Sequence, residues 1–472
     1  MGASRIHDRV EKFREQVHPC QFTTVHQWEI GSIRPRYPLA RSVREGPGPA
    51  RLPRLQTLCV ISLEKCRVQP TEIHADIVVI GAGPAGIAAA LTAAKTGART
   101  VVLDEAEGAG GHLRWEVADF DELPLEPARL ELSEMATAAV EELSASGIPF
   151  YPNTAAWGIF PGPMVAAWDT VNSVSLTFSA TSVVIATGTA DRVWPVRGWE
   201  LPGFYTERQL LTELHAGLPP LGRRYGIIGG GSAAEQIRAA IALTGGQIVF
   251  ETVAISKVHI RGNGKVELIY DDDHAARVDA VVQAFGQRIE PSLAVQAGAA
   301  STLHVGEAVP TPYLTADGAT TVPGIYVAGE AAGVREARWA YSHGERVGEA
   351  AARQAPPHPL PGEISIDPNF LRQSYFPPPT DPAIVVDRAQ KVTLGEIQAA
   401  IDAGAWDIND IRRQTRAGMG AVDNGALAVI ASLLLERDPG ISDERLIARP
   451  RPPLREVPFA AYLTSAGEEV AR

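Results

Sequence analysis

Only three cysteines occur in 472 residues, Cys20, Cys59 and Cys66, and all precede residue 70. So few exclude a disulfide framework, and their position excludes a Cys-ligated metal or a Cys-x-x-Cys redox pair in the rest of the chain. A basic excess is also missing. The 43 Lys and Arg face 55 Asp and Glu, a net charge of -12, which argues against a nucleic-acid binder. No apolar run approaches the ~20 residues of a membrane span, and the polar start MGASRIHDRVEKFREQ is no secretory signal. The eleven histidines offer no HxH or HExxH pair, and no Gly-x-Ser-x-Gly elbow is present. No residue stands out as an acid, base or nucleophile. What remains is an ordinary globular composition, 45% hydrophobic and 21% charged with 44 Gly. It suffices for a sizeable core and several domains. A cytoplasmic enzyme or enzyme subunit is the expectation.

Residues 1–72 differ from the rest of the chain. They hold twelve Lys and Arg against seven Asp and Glu, so this segment is +5 and the remainder -17. The stretch RPRYPLARSVREGPGPARLPRLQ has no sustained period. It reads as a flexible or surface-wrapping arm, or as one that docks on an acidic partner surface. Cys59 and Cys66 have no neighbouring ligands, so free thiols are expected there. From Ala75 the run ADIVVIGAGPAGIAAALTAAKTGARTVVLDEA spells strand, glycine turn, Ala-rich helix and second strand. A related unit, YGIIGGGSAAEQIRAAIALTGGQIVFE, comes later. Between and after them lie β-type runs, then TTVPGIYVAGEAAG and an amphipathic helix around 336–353. A Pro-rich connector leads to a mostly helical end, where Thr393 and Glu396 form a capping-box pattern.

The first glycine cluster is Gly81-Ala82-Gly83-Pro84-Ala85-Gly86, set between a strand and a helix. Gly81 permits the tight turn, Gly83 lets backbone approach a pyrophosphate, and Gly86 allows close helix–strand packing. The diphosphate would rest on the helix N-terminal amides. An acid should end the second strand to hold a ribose; Asp104 and Glu105 are both there, and Glu105 is preferred. Gly329-Glu330 closes another strand and resembles the second FAD signature of two-dinucleotide-domain flavoproteins. Its usual residue is Asp, for which Glu330 is a longer substitute. Thr187-Gly188 in VVIATG resembles the crossing point between the nucleotide domains of that superfamily. Gly110-Gly111-His112 comes after the ribose acid, where such proteins cover the flavin. Four elements in the right order point to FAD.

The second cluster, around Gly229, Gly231 and Ser232, also opens a helix. Flavoprotein reductases bind NAD(P)H at this place. Here the strand ends at Glu251 and runs almost at once into a β meander, without the usual helix and third strand. No Arg pair is positioned for a 2′-phosphate. A nicotinamide site, another adenine-nucleotide site and a packing relic all stay open.

The stretch VVIATGTADRVWPVRGWELPGFYT resembles the FAD-containing larger subunits of opine oxidases, hydrogen cyanide synthase and related proline or hydroxyproline dehydrogenases. The likeness extends to GGHLRW (110–115), AAWGIFPG (155–162, including Ala156) and RPPLREVPFAAYL (451–463). Members of that family are similar to the alpha subunit of heterotetrameric sarcosine oxidase. The resemblance implies an α/β fold of the glutathione-reductase-like, two-dinucleotide-domain type, with a small C-terminal helical domain like a bacterioferritin-associated ferredoxin. The implied domains are an arm (1–72), a FAD-binding domain in two parts (73–205 and 291–353), a shortened NAD-type unit (206–290), a linker (354–382) and a helical domain with tail (383–472). The partner it implies is a D-amino-acid-oxidase-like FAD subunit. Family members hold a [2Fe–2S] cluster on four cysteines in the helical domain. The matching positions here are Asp387, Ala389, Val422 and Leu427, so no cluster is expected in this chain. A further candidate partner is a separate small iron–sulfur subunit.

The leading expectation is a flavin-dependent oxidoreductase component that oxidises a C–N bond of a small amine or amino acid, with substrate chemistry on the partner. The alternatives are a stand-alone NAD(P)H-dependent flavin reductase and a non-catalytic FAD-stabilised assembly subunit. The catalytic residues are not assigned.

Overall fold

The computed structural model describes residues 71–463, apart from 117–126, 217, 219–221, 304–308, 335, 360–378, 421–424 and 449. The basic N-terminal segment, the three cysteines, Val422 and most of the Pro-rich connector lie outside the described residues. Strand β1 (Thr71–His74) precedes the Ala75 start of the apolar pattern. Its side chains are largely exposed, so hydrophobic patterning carries no sign of it.

Next come β2 (Ile77–Ile80), helix α1 (Pro84–Lys95) and β3 (Thr100–Leu103), the first strand–turn–helix–strand unit. Every residue of β2 and β3 is buried, as expected for strands covered on both faces of a parallel sheet. They are the middle of a five-stranded parallel sheet, ordered Ile325–Val327, Ser182–Ile185, β2, β3, Phe150–Tyr151. Ile77 and Val79 point to a helical layer, whereas Val78 and Ile80 pack against a second sheet through Val165 and Phe178. That second sheet carries β1 beside the antiparallel strands 174–179, 164–169 and 154–160.

A further parallel sheet is ordered Phe204–Thr206, Ala280–Ala284, Arg224–Gly229, Gln247–Thr252, and α2 (Gly231–Leu243) covers it. The strand missing directly after Glu251 is thus supplied later. The chain first makes a three-stranded antiparallel meander (259–261, 268–270, 275–277), and then 280–284 enters the centre of the sheet.

Helix α3 (Ala337–Ala352) lies on α1 at backbone distance. A Cβ on Gly344 would sit 2.1 Å from the Ala85 carbonyl oxygen, and one on Gly348 2.3 Å from that of Ala89. Glycine at both positions is what lets α3 press on the first turn of α1. The C-terminal helices Leu394–Asp402, Ile408–Thr415 and Ala426–Arg437 share a core of Ile397, Ile401, Ile411, Ile430 and Leu434, with Leu427 at its edge. The Thr393–Glu396 capping box is formed in full. Among the described residues, no helix is long and apolar enough to cross a membrane.

Candidate functional site

The first glycine turn is held from three sides. Gly81 adopts φ +102°, and a Cβ there would be 2.3 Å from the Ala186 carbonyl oxygen. A Cβ on Gly86 would be 1.9 Å from the Gly81 carbonyl oxygen, so these two glycines serve the fold. Gly83 differs. It is the N-cap of α1 with φ -75°, and an added Cβ would meet only the Gly111 Cα at 3.8 Å. No side chain caps the helix, and Pro84 occupies its first turn. The start of that turn therefore lacks a side-chain acceptor, and Gly83, Pro84 and Ala85 lie on a cavity wall.

Asp104 and Glu105 divide two tasks. The Asp104 carboxylate accepts the N–H of Ala82 at 2.6 Å and that of Ala106 at 2.8 Å. Burial pushes its carboxyl above the ordinary value, and those two N–H bonds oppose the shift. Asp104 therefore shapes the turn, and it also stands on the cavity wall beside Glu105. Glu105 reaches the cavity wall, where the Nε of Arg455 donates to its Oε2 at 3.0 Å. The Gly110–Gly111 turn also has a packing task. Gly110 N–H donates to the Ala82 carbonyl at 2.8 Å, and a Cβ on Gly111 would be 2.8 Å from the Gly83 Cα.

Glu330 stands on a single turn, Gly329–Ala332, after the edge strand. The Gly329 N–H donates to Nδ1 of His343, at 3.1 Å. His343 is 5% exposed, and burial lowers its pKa, so the ring is neutral and its Nδ1 lone pair accepts. Glu330 Oε2 lies 3.5 Å from Nδ1 of His112. The same nitrogen is 3.4 Å from both Thr189 Oγ1 and Arg208 Nη2. Arg208 is in turn fixed by the Thr189 carbonyl at 2.7 Å. The chain thus assembles an imidazole, a carboxylate and a guanidinium that lie far apart in sequence.

These groups line one cavity of about 1940 Å³. Ligand pockets commonly measure roughly 300–1,000 Å³, so there is room for a large ligand. Its wall includes Gly81, Gly83, Pro84, Ala85, Asp104, Glu105, Gly111, His112, Ala156, Thr187, Gly188 and Glu330. Gly86, Gly110 and Gly329 stand behind that wall. Sequence reasoning missed Arg208, Arg338, Trp339, Arg388, Lys391 and Arg455, all on the wall, and the Arg288–Glu290 pair, 3.1 Å apart and nearly buried. Isolated arginines carry no local pattern that would have found them.

Gly229, Gly231 and Ser232 are not on this wall. Gly229 takes φ +132°, and a Cβ there would be 2.1 Å from the Ala284 carbonyl oxygen, so both the turn and the close approach call for glycine. Glu251, where a second ribose acid would stand, is paired with Arg238 of α2. In the helical unit, Asp387 is fully buried, and its carboxylate accepts the N–H of Gln390 at 2.9 Å and that of Gly418 at 2.7 Å. Ala389 packs so closely on Gly420 that a Cβ there would be 2.4 Å away, and Leu427 crowds Gly418 at 2.5 Å in the same sense.

Residues 75–252 match the pyridine nucleotide-disulphide oxidoreductase family. The opine oxidase A subunit of Agrobacterium tumefaciens (strain Ach5) is 26% identical over 448 residues, spanning 79% of this chain and 87% of the relative. The chain resembles opine oxidase A subunits. The resemblance to opine oxidase larger subunits read from the sequence is borne out by this relative and by a second. The corresponding opine oxidase A subunit of Rhizobium meliloti (strain 1021) is 27% identical over 455 residues, 81% of this chain and 97% of the relative. Among solved structures, L-proline dehydrogenase from P. horikoshii superposes with a TM-score of 0.63 at 23% identity. That match covers 83% of this chain and 80% of the other. It shows a shared mixed α/β fold.

Proposed function

We propose that this chain binds one FAD non-covalently and is the FAD-binding subunit of a flavin-dependent oxidoreductase acting on the C–N bond of an amine or amino acid. One observation carries the reading: a single cavity joins the Gly81–Gly86 turn, Glu105, Thr187–Gly188 and Glu330. The residues fit an anionic dinucleotide. The uncapped first turn of α1 offers amides and a positive dipole end to a diphosphate, and Gly83 leaves room for its approach. Glu105 is placed for ribose hydroxyls and Glu330 for hydroxyls of the ribityl side. The His343 acceptor holds the Glu330 turn in place. His112 Nδ1 stands between the Glu330 carboxylate and the Arg208 guanidinium, so the ring is oriented by both. When bound, FAD supplies the two-electron acceptor chemistry, and the protein supplies orientation and electrostatics.

The subunit reading rests on the relatives, which are named as A subunits. It assigns substrate chemistry to a D-amino-acid-oxidase-like partner, and a further candidate partner is a small iron–sulfur subunit. The helical unit is read as a ferredoxin-like scaffold without cluster ligands. Asp387 already accepts two backbone N–H groups, and Ala389 and Leu427 offer no donor. The second glycine turn, outside the cavity, is read as a packing unit. Purified chain should be yellow and release FAD on heating. A colourless protein that takes up no added FAD would overturn the proposal. Bleaching of bound flavin by NADH within seconds would instead favour the stand-alone reductase.

A further inference from the structure

The tail Arg451–Leu463 lies far from the glycine turns in sequence, yet Leu454 and Arg455 bring it to the cavity wall. Two anchors seat it on the sheet formed by 154–160, 164–169 and 174–179. At the first, the Leu454 N–H donates to the Trp157 carbonyl at 2.9 Å. At the second, Ser175 Oγ donates to the Ala461 carbonyl at 3.2 Å, with Ala461 fully buried and the Tyr462 ring 5.5 Å from that of Trp157. Leu454 and Arg455 both face the cavity. Arg455 donates through Nε to Glu105, leaving its two Nη groups with no acceptor among the described residues.

An exposed Arg–Glu pair contributes little to stability on its own. Glu105 is the acid read as the ribose ligand, and its charge beside an anionic diphosphate is unfavourable unless it is compensated. Arg455 offsets that charge, and its remaining edge of N–H donors suits a phosphate or adenosine oxygen.

We propose that the C-terminal tail is part of the nucleotide site, with Arg455 a binding residue for the adenosine-diphosphate portion of the dinucleotide. This rests on the FAD reading above. Coupling of this kind is reciprocal: whatever factor the tail adds to nucleotide affinity, the nucleotide adds to the seating of the tail.

Two measurements on the full-length chain test it. Flavin release, followed by fluorescence, should be about tenfold faster in Arg455→Ala, as expected for the loss of a charged hydrogen bond. Arg455→Lys should fall between. In the unaltered chain, added FAD should slow hydrogen exchange across residues 452–463, including the Leu454 amide, a comparison that needs no variant to fold. Equal release rates together with exchange indifferent to FAD would overturn the tail's role and leave the FAD reading standing. A chain that binds no FAD at all would sink both.

Discussion

The Gly329 N–H and the buried Nδ1 of His343 form a hydrogen bond of 3.1 Å, the link through which α3 holds the turn bearing Glu330. Burial is the main cause of the lowered His343 pKa, and the nearby Arg346 adds to it, while an Ala316 backbone bond and Asp317 oppose it. The folded chain thus binds this proton less readily than the unfolded one. The resulting stability is present above about pH 6.5, the ordinary histidine value, and is lost as pH falls through the lowered pKa. Melting temperature should therefore drop on acidification. His343→Asn, which keeps an acceptor at the same position, should flatten that slope. His343→Leu should cost about 1–3 kcal/mol by orphaning the Gly329 N–H. A slope unchanged in His343→Asn would refute the assignment.

Gly83→Val separates binding from folding. The added Cβ meets ordinary contact at 3.8 Å and the backbone is at φ -75°, so the chain should fold and melt like the FAD-free unaltered protein. Its side chain would occupy the approach to the α1 amides, and flavin content should fall at least tenfold. Gly86→Val, 1.9 Å from the Gly81 carbonyl, should fail to fold. Normal flavin content in Gly83→Val would remove the 81–86 turn from the site.

The same contrast explains what could be read in advance. Gly81, Gly86 and Gly188 are legible because a tight turn or close approach forces glycine at fixed offsets from strand ends, and the buried strands around them are unbroken apolar runs. The parallel sheets and the capped helix at Thr393 come from equally local signals. Arg455 and Glu105 meet across 350 positions, and nothing near either residue announces the other. Arg208 and His112 likewise meet across 96 positions. Asp104 and Glu105 are adjacent acids, and only the hydrogen bonds from Ala82 and Ala106 show which one shapes the turn.

Asp387 should act as a lock on the helical unit. It ties the turn at Gln390 to the loop at Gly418 through two N–H bonds, entirely out of solvent. Asp387→Ala leaves both N–H groups without this acceptor and should cost about 2–6 kcal/mol, each orphan being worth roughly 1–3. Asp387→Asn keeps one acceptor oxygen and should cost less. The protein should contain neither iron nor acid-labile sulfide. Thermal melts of the two variants and metal analysis of the unaltered chain check this. About two irons per chain would contradict the reading of the site.

The single chain should oxidise no amino acid or opine at a useful rate. His112, Glu330 and Arg208 do share a wall with the proposed flavin site, a convergence of groups distant in sequence. Their contacts are largely with one another and with Thr189, an arrangement that orients a cofactor more readily than it grips a substrate. The relatives that this chain resembles along most of its length are themselves named as subunits. With thiolates missing from the helical unit, electrons crossing to or from a partner need two flavins in proximity or a bridging subunit. The assay is dye reduction by the FAD-loaded chain with a panel of amino acids and opines, repeated with the partner co-expressed. Turnover should appear only with the partner. Strong dye reduction by the lone chain would place substrate chemistry on this wall, and His112→Ala would then be expected to abolish it.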